Sequence, residues 1–372
     1  MARPRKKLVF ENGRVFAGEG FGSDADAVCE AVFNTSMVGY QEIFSDPSYC
    51  GQFVCMTYPL IGNYGLAADD YETKTPRIGG FIVREYNDSL SNFRAARTLS
   101  EVMEEYGVPG IAGPDTRAIT RMLRSEGSMR ALLTDADTPD AAALEQLAGT
   151  PVPRDQVARV SCKKPWRCRT ANARYSVVAV DCGVKHNIIR SLAARGCDVT
   201  VVPYDTPAKA VLAMEPDGLF LSNGPGDPRD VPEAAALVRA LQGRLPIFGI
   251  CLGHQLIALA NGARTYQLKF GHRGGNHPVK NLLTGRIEIT SQNHSFAVDP
   301  ESLSGTGLTV THQNLLDGTV EGLENADKRI FSVQYHPESA PGPQDSAYLF
   351  DKFIASIEAF LAERGDRDAE AY

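Results

Sequence analysis

From residue 173 onward the chain repeats one pattern, and that pattern limits what this half can become. Ser176-Val-Val-Ala-Val180 is a short, unbroken apolar run, as expected of a strand buried on both faces. A helical period follows, with Ile188, Ile189, Leu192 and Ala193 on one face and Gly196 at its end. Asn187 is the expected N-cap. Strand and helix then alternate: strand 198–202, helix 208–214, strand 218–222, helix 232–241, strand 245–250, helix 253–260. Such alternation implies a parallel sheet with helices on both faces. Ligands in these sheets bind beyond the carboxyl ends of the strands. After Gly262 strands dominate, at 286–290, 308–311 and 330–334. An amphipathic helix is expected over 346–361, and a charged tail over 362–372 is expected to fray.

Residues 1–148 show no single period. Over 7–16, Asn12-Gly13 between two short apolar runs suggests a hairpin with a type I′ turn. Further strands are expected at 27–33 and 52–58. Pro114-Asp115 precedes Ile119, Met122 and Leu123 at helical spacing. Another helix over 141–147 ends before Gly149. This reads as a smaller α+β domain, 1–148, with many turns. Residues 149–172 hold Gly149-Thr-Pro-Val-Pro153 and Cys162-Lys-Lys-Pro-Trp-Arg-Cys-Arg169 without apolar period and read as a linker. The domain 173–372 then makes the fold class α/β, a C-terminal parallel-sheet domain beside a smaller N-terminal one.

The length of 372 residues suits two or three domains, and 43% hydrophobic residues suffice for two cores. A net charge of −7 provides no global field for nucleic acid or anionic lipid. No window approaches the ~18 apolar residues of a membrane span. The basic start, 1–7, runs into Leu8-Val-Phe-Glu11, so neither a secretory signal nor a transit peptide is expected. Eight cysteines form no CxxC pair, which speaks against zinc ribbons and redox motifs. Reduced thiols and a cytoplasmic location are the expectation.

The strongest local signal is Phe248-Gly-Ile-Cys-Leu-Gly-His-Gln255. A strand ends, a tight turn follows and a helix begins: the nucleophile-elbow arrangement with Cys251 in place of serine. Gly249 and Gly253 remove side chains where backbone must pass closely. A helix N-terminus favours thiolate, and the Leu252 N–H is free to face an oxyanion. The competing reading is a buried cysteine at a packed junction.

A cysteine nucleophile needs a base and an orienting group. Ser332-Val-Gln-Tyr-His-Pro-Glu338 offers both. In extended chain residues i and i+2 point the same way, and Pro337 biases His336 toward that geometry. Glu338 can then hold the imidazole of His336. Alone, His-Pro-Glu reads as a solvated strand-end turn; beside the elbow it points to a Cys-His-Glu triad. Leu221-Ser-Asn-Gly-Pro-Gly-Asp-Pro228 also follows a strand. Taken alone it is a glycine-rich turn. It lacks the G-K-[ST] of a P-loop and the spacing of G-x-G-x-x-G, so no dinucleotide site is indicated.

These three motifs in this order resemble the class I (triad-type) glutamine amidotransferase family over about residues 174–360. A wider set narrows the likeness: Gly271-His-Arg-Gly-Gly-Asn-His-Pro278, Ser291-Gln-Asn-His294, Pro341-Gly-Pro343, Phe33-Asn-Thr-Ser-Met-Val-Gly-Tyr-Gln-Glu42 and Ser45-Asp-Pro-Ser-Tyr49. Together they are similar to the small, glutamine-hydrolysing subunit family of carbamoyl-phosphate synthetases over nearly the whole chain. The resemblance implies that Cys251 attacks the glutamine side-chain amide, His336 shuttles protons and Glu338 orients it. Backbone near Gly224 and at Leu252 would form the oxyanion hole. Ser48, Gly224, Gly226, Leu252, Gln255, Asn293 and Phe296 match glutamine-contacting positions. It further implies a large subunit that receives ammonia and makes carbamoyl phosphate. No cofactor is expected on this chain; ATP and Mg²⁺ belong to the large subunit, and the N-terminal domain would dock it.

The family usually has glycine where this chain has Ser295. If that position needs φ > 0, serine costs on the order of 1 kcal/mol; if it only offers backbone groups, Ser295 can bind as well. His254 is expected to pack locally, Cys182 to be structural, and His272 and His277 to hold no metal. His294 and His312 have no assigned role. Two other readings stay open: a different triad amidotransferase or glutaminase, against which the N-terminal motifs speak, and a non-catalytic scaffold subunit, against which the complete triad speaks.

Overall fold

The computed structural model describes residues 3–370. The chain forms two compact units, 1–156 with 269–274 and 157–268 with 275–372.

The first unit is built on a closed barrel of seven strands. In spatial order these are Arg5–Phe10, Val15–Gly22, Pro109–Ala112, Gly80–Val83, Gln52–Met56, Ala27–Asn34 and Met129–Asp135. The strands from Pro109–Ala112 to Ala27–Asn34 run parallel, and the remaining pairs are antiparallel. Both faces of the central strands are buried, which explains their unbroken apolar runs. Phe53 and Cys55 join a core with Ile119, Met122 and Leu123 of helix Thr116–Glu126. The alternate residues Val54 and Met56 join a second core with Tyr40, Phe44 and Leu99, as the two-residue period of a strand requires. Asp115 caps helix Thr116–Glu126 by accepting the Ala118 N–H at 2.9 Å. The hairpin at Asn12-Gly13 forms, but not with the expected turn. Gly13 N–H donates to Phe10 O, Phe10 N–H donates to Arg14 O, and of the turn pair only Gly13 has positive φ, 82°. That is a three-residue loop ending in a left-handed glycine, whereas type I′ needs positive φ at both central residues.

The second unit carries a ten-stranded sheet in the order Trp166–Cys168, Cys197–Pro203, Tyr175–Asp181, Gly218–Leu221, Ile247–Ile250, Ile330–Val333, Val320–Asn325, Thr309–Asn314, Thr265–Asn281, Ile287–Val298. Five neighbouring strands, from Cys197–Pro203 to Ile330–Val333, are parallel. One face packs on Ala234, Leu237, Val238, Leu256 and Ile257 of helices Pro232–Leu241 and Leu252–Ala260. The other packs on Ile188, Leu192, Phe350 and Phe353, with Phe248 stacked on Phe331 at 4.4 Å.

Four expectations need correction. Residues 149–172 are not a plain linker: helix Gln156–Val160 forms there, and Trp166–Cys168 pairs antiparallel with Cys197–Pro203 as the edge of the sheet. The units divide at 156/157, not at 148 and 173. Asn187 is not a cap; helix His186–Ala193 starts one residue earlier, with Lys185 at the cap position and no side-chain capping bond. The closing helix runs on as Tyr348–Glu370 through most of the tail read as frayed, whose last two residues lie outside the described residues. Among the described residues no helix is long and apolar enough to cross a membrane.

Candidate active site

Adjacent parallel strands deliver the motif residues to one edge of the sheet. Register pairs Leu221 with Gly249, Gly249 with Ser332 and Ile250 with Val333. The carboxyl ends of these strands therefore carry residues 222–226, Cys251 and the 334–338 segment side by side. Strand Tyr175–Asp181 ends at the same edge, leading into Lys185.

Cys251 sits between strand Ile247–Ile250 and helix Leu252–Ala260 with φ 53° and ψ −103°. Such a backbone costs of order 1–3 kcal/mol in a non-glycine residue and persists only where the surroundings impose it. They do so here: Cys251 N–H donates to Val333 O at 2.9 Å, and the flanking glycines admit close packing. A Cβ on Gly253 would lie 2.3 Å from Leu221 O, and one on Gly249 would lie 2.7 Å from Ile257 Cδ1 and 2.8 Å from the Gly253 carbonyl. Cys251 is 2% exposed. Its thiol donates to Asn293 O at 3.5 Å. The Leu252 N–H has no hydrogen-bond acceptor among the described residues.

His336 follows strand Ile330–Val333, held by its N–H to Ser291 O at 2.9 Å. Its Nδ1–H donates to Glu338 Oε1 at 2.7 Å. The proton is thereby placed on Nδ1 and Nε2 is left as the working nitrogen. Nε2 is buried and makes no hydrogen bond of full geometry, although the Cys251 thiol lies near enough to raise the imidazole's pKa. Burial, the largest single influence, opposes the charged imidazole, but Glu338 and the Cys251 thiol together outweigh it and lift His336 above the usual histidine range. Burial likewise opposes the Glu338 carboxylate, yet Lys185 and His336 hold it below the usual carboxylate range.

Lys185 is the residue that the sequence reading missed. Its Nζ donates to Glu338 Oε1 at 2.8 Å and to Ala340 O at 2.7 Å, and the side chains are 3% and 0% exposed. The available signal was positional: a lysine just past the end of an apolar strand at the ligand-binding edge. Asp181 shapes the turn that carries it, accepting the N–H groups of Gly183 and Val184 at 2.9 and 2.8 Å.

The expected ligand contacts divide between the units. Gly224, Gly226, Leu252, Gln255, Asn293, Ser295 and Phe296 all belong to the sheet unit. A Cβ on Gly224 would lie 2.2 Å from Cys182 O, and Gly226 has φ 85°; both positions require glycine. Ser295 lies within strand Ile287–Val298 and is not among the positive-φ residues. Serine is therefore unstrained there. Ser48 belongs to the first unit, where its N–H donates to Asp46 Oδ1 at 2.8 Å. His254 is buried against Ser332 Oγ at 3.0 Å, and burial pushes its pKa down to about 3; it packs, as expected. Cys182 is buried, and burial pushes its thiol up. His312 lies against Thr311 and Tyr348.

The parallel sheet with a cysteine elbow agrees with what comparison finds for this half. Residues 178–356 match the family model described as glutamine amidotransferase class-I. That match and the fold define the class of enzyme. Residues 8–133 match the model described as carbamoyl-phosphate synthase small chain, CPSase domain. A carbamoyl phosphate synthase small chain from Oceanobacillus iheyensis is 53% identical over 361 residues, 97% of this chain and 98% of that one. One from Bacillus caldolyticus is 53% identical over 356 residues, covering 96% and 97%. A small chain from Halalkalibacterium halodurans, named pyrimidine-specific, is 51% identical over 355 residues, covering 95% and 98%. The chain belongs to the carbamoyl-phosphate synthase small-chain family, whose amidotransferase half is the sheet unit described above.

Proposed function

We propose that this enzyme hydrolyses glutamine to glutamate and ammonia through Cys251, His336 and Glu338. The ammonia passes to a large subunit that makes carbamoyl phosphate with ATP and bicarbonate. The observation that carries this reading is the 2.7 Å bond from His336 Nδ1 to Glu338, which turns Nε2 toward the proton chemistry of Cys251. In the first step Nε2 takes the thiol proton as sulfur attacks the γ-carbonyl carbon. The oxyanion is met by the Leu252 N–H and the backbone near Gly224. The imidazolium then gives its proton to the departing nitrogen, ammonia leaves and a glutamyl thioester remains. Water loses a proton to His336 and attacks the thioester; the thiol recovers that proton and glutamate leaves. Raising the His336 pKa favours the imidazolium that must protonate the leaving group.

Ser48, Gly224, Gly226, Leu252, Gln255, Asn293, Ser295 and Phe296 are the proposed glutamine contacts. No cofactor is assigned to this chain, and ATP and Mg²⁺ are assigned to the large subunit, which the 1–148 region would dock as a heterodimer. Product use in arginine and pyrimidine biosynthesis is part of the proposal, as is a cytoplasmic location, supported by eight cysteines of which none is joined in a disulfide among the described residues.

The test is ammonia release from glutamine, with and without the large subunit, by wild type and Cys251→Ser. The expected result is release that requires Cys251 and rises with the partner, while Cys251→Ser keeps ammonia-dependent synthesis by the complex. Equal release with and without the partner would indicate an independent glutaminase, and none under any condition a scaffold subunit.

A further inference from the structure

We infer that Gln334 is a positioning residue for substrate binding: its buried amide oxygen, together with the Phe296 carbonyl, turns the Gln255 carboxamide so that the Gln255 oxygen meets an N–H donor of the bound amino acid. The inference rests on Gln255 being a glutamine contact. Gln255 stands on the first turn of helix Leu252–Ala260, its backbone N–H donating to Cys251 O at 3.2 Å. Its Nε2 donates to Phe296 O at 2.8 Å and to Gln334 Oε1 at 3.0 Å. A carboxamide nitrogen has two hydrogens, so both are committed. Gln255 Oε1 makes no hydrogen bond among the described residues, and it is not among the buried atoms that lack a partner. The oxygen is the atom left for a ligand.

This orientation is not an arbitrary choice between amide oxygen and nitrogen. Turned over, Gln255 would set its oxygen against the Phe296 carbonyl. That carbonyl is fixed in strand Ile287–Val298 and also lies 2.8 Å from His294 Nδ1, whose proton it accepts. Two oxygens would then face each other in a buried site, which is unfavourable. Gln334 itself is 0% exposed, and its Nε2 has no partner among the described residues. An apolar side chain of similar length would fill the space without a stranded donor. What Gln334 supplies that methionine would not is the acceptor for Gln255. A glutamine that instead offered nitrogen from position 255 would repel an ammonium or amide donor, so the pair also selects the kind of ligand group bound there.

The test uses the complete complex with its large subunit and measures kcat and KM for glutamine, with ammonia-dependent synthesis as the reference for folding. Gln334→Met should raise KM about tenfold, the scale of one orienting hydrogen bond, with kcat within about twofold. In a Gln255→Met background the same substitution should add less than about twofold, because Gln334 acts only through Gln255. Gln334→Glu, which keeps an acceptor oxygen, should hold KM within about threefold of wild type; it carries the test if the methionine variant does not fold. A tenfold KM rise in both backgrounds, a fall in kcat at constant KM, or a tenfold KM rise in Gln334→Glu would overturn the inference. An unchanged KM in Gln255→Met would overturn it at its premise. Both results are separate from the dependence of ammonia release on Cys251, which tests the reaction itself.

Discussion

At the residue scale the site depends on charges taken out of water together. Lys185 and Glu338 are both buried and lie 2.8 Å apart, with His336 on the same carboxylate oxygen. Glu338 Oε2 has no partner among the described residues, so the group cannot spare another contact. Removing one member of a buried pair costs about 3–5 kcal/mol, because the survivor is left uncompensated. Lys185→Met should destabilise the protein on that scale, measured by denaturant unfolding. Adding Glu338→Gln to it should recover part of the loss, since no buried carboxylate then remains. If the double variant is less stable than Lys185→Met alone, Lys185 is not there to compensate Glu338. Neither the cysteine elbow nor the His-Pro-Glu segment hinted at this lysine. It lies about 150 residues from its partner in sequence, and only the parallel sheet brings the two strand ends together.

At the element scale, legibility followed periodicity. The unbroken apolar runs at 176–180, 218–221 and 247–250 are strands because helices cover both faces, and they were readable for that reason. Strand Thr265–Asn281 was not: its sequence Thr-Tyr-Gln-Leu-Lys-Phe-Gly-His-Arg-Gly-Gly-Asn-His-Pro-Val-Lys-Asn shows no sustained alternation, and its middle groups with the first unit. The barrel was missed as a closed shape because its strands are four to eight residues long and interrupted by helices and turns. Caps show the same division. Asp115 was legible, with its carboxylate accepting the Ala118 N–H. Asn187 was misread, since the chain turns helical one residue before it and its side chain accepts from Arg190 at 3.2 Å instead. Asp115→Ala should therefore cost about 1 kcal/mol, whereas Asn187→Ala should stay within ~0.5 kcal/mol. Matched denaturant titrations decide it; a larger loss at 187 than at 115 would contradict the observed helix starts.

On the scale of the whole molecule, pH acts through histidines that folding keeps neutral. His254 is fully buried against Ser332, and burial, then the nearby His312, pushes its pKa down to about 3. Burial, then Lys352, lowers His312 to about 4; its ring lies against Thr311, Tyr348 and Tyr335. In the unfolded chain both titrate near the ordinary value of about 6.5. The unfolded state thus binds protons that the folded state refuses as pH falls below that value. Their contribution to stability is complete above about pH 7 and is lost on acidification toward the folded pKa values. For each histidine the loss between pH 7 and pH 5 is about 2 kcal/mol. His336 and Glu338 do not produce this window: the histidine is raised, so its contribution is complete below about 6.5 and is lost only as pH rises toward about 10, while the glutamate is lowered and loses its contribution only as pH falls below the usual carboxylate value. His254→Gln should lower stability at pH 7 by disturbing the bond to Ser332. It should also shrink the fall in unfolding free energy from pH 7 to pH 5 by about 2 kcal/mol relative to wild type. Denaturant unfolding of both proteins at the two pH values measures that difference directly, and parallel pH dependences would show that His254 takes up its proton in the folded state as readily as in the unfolded one.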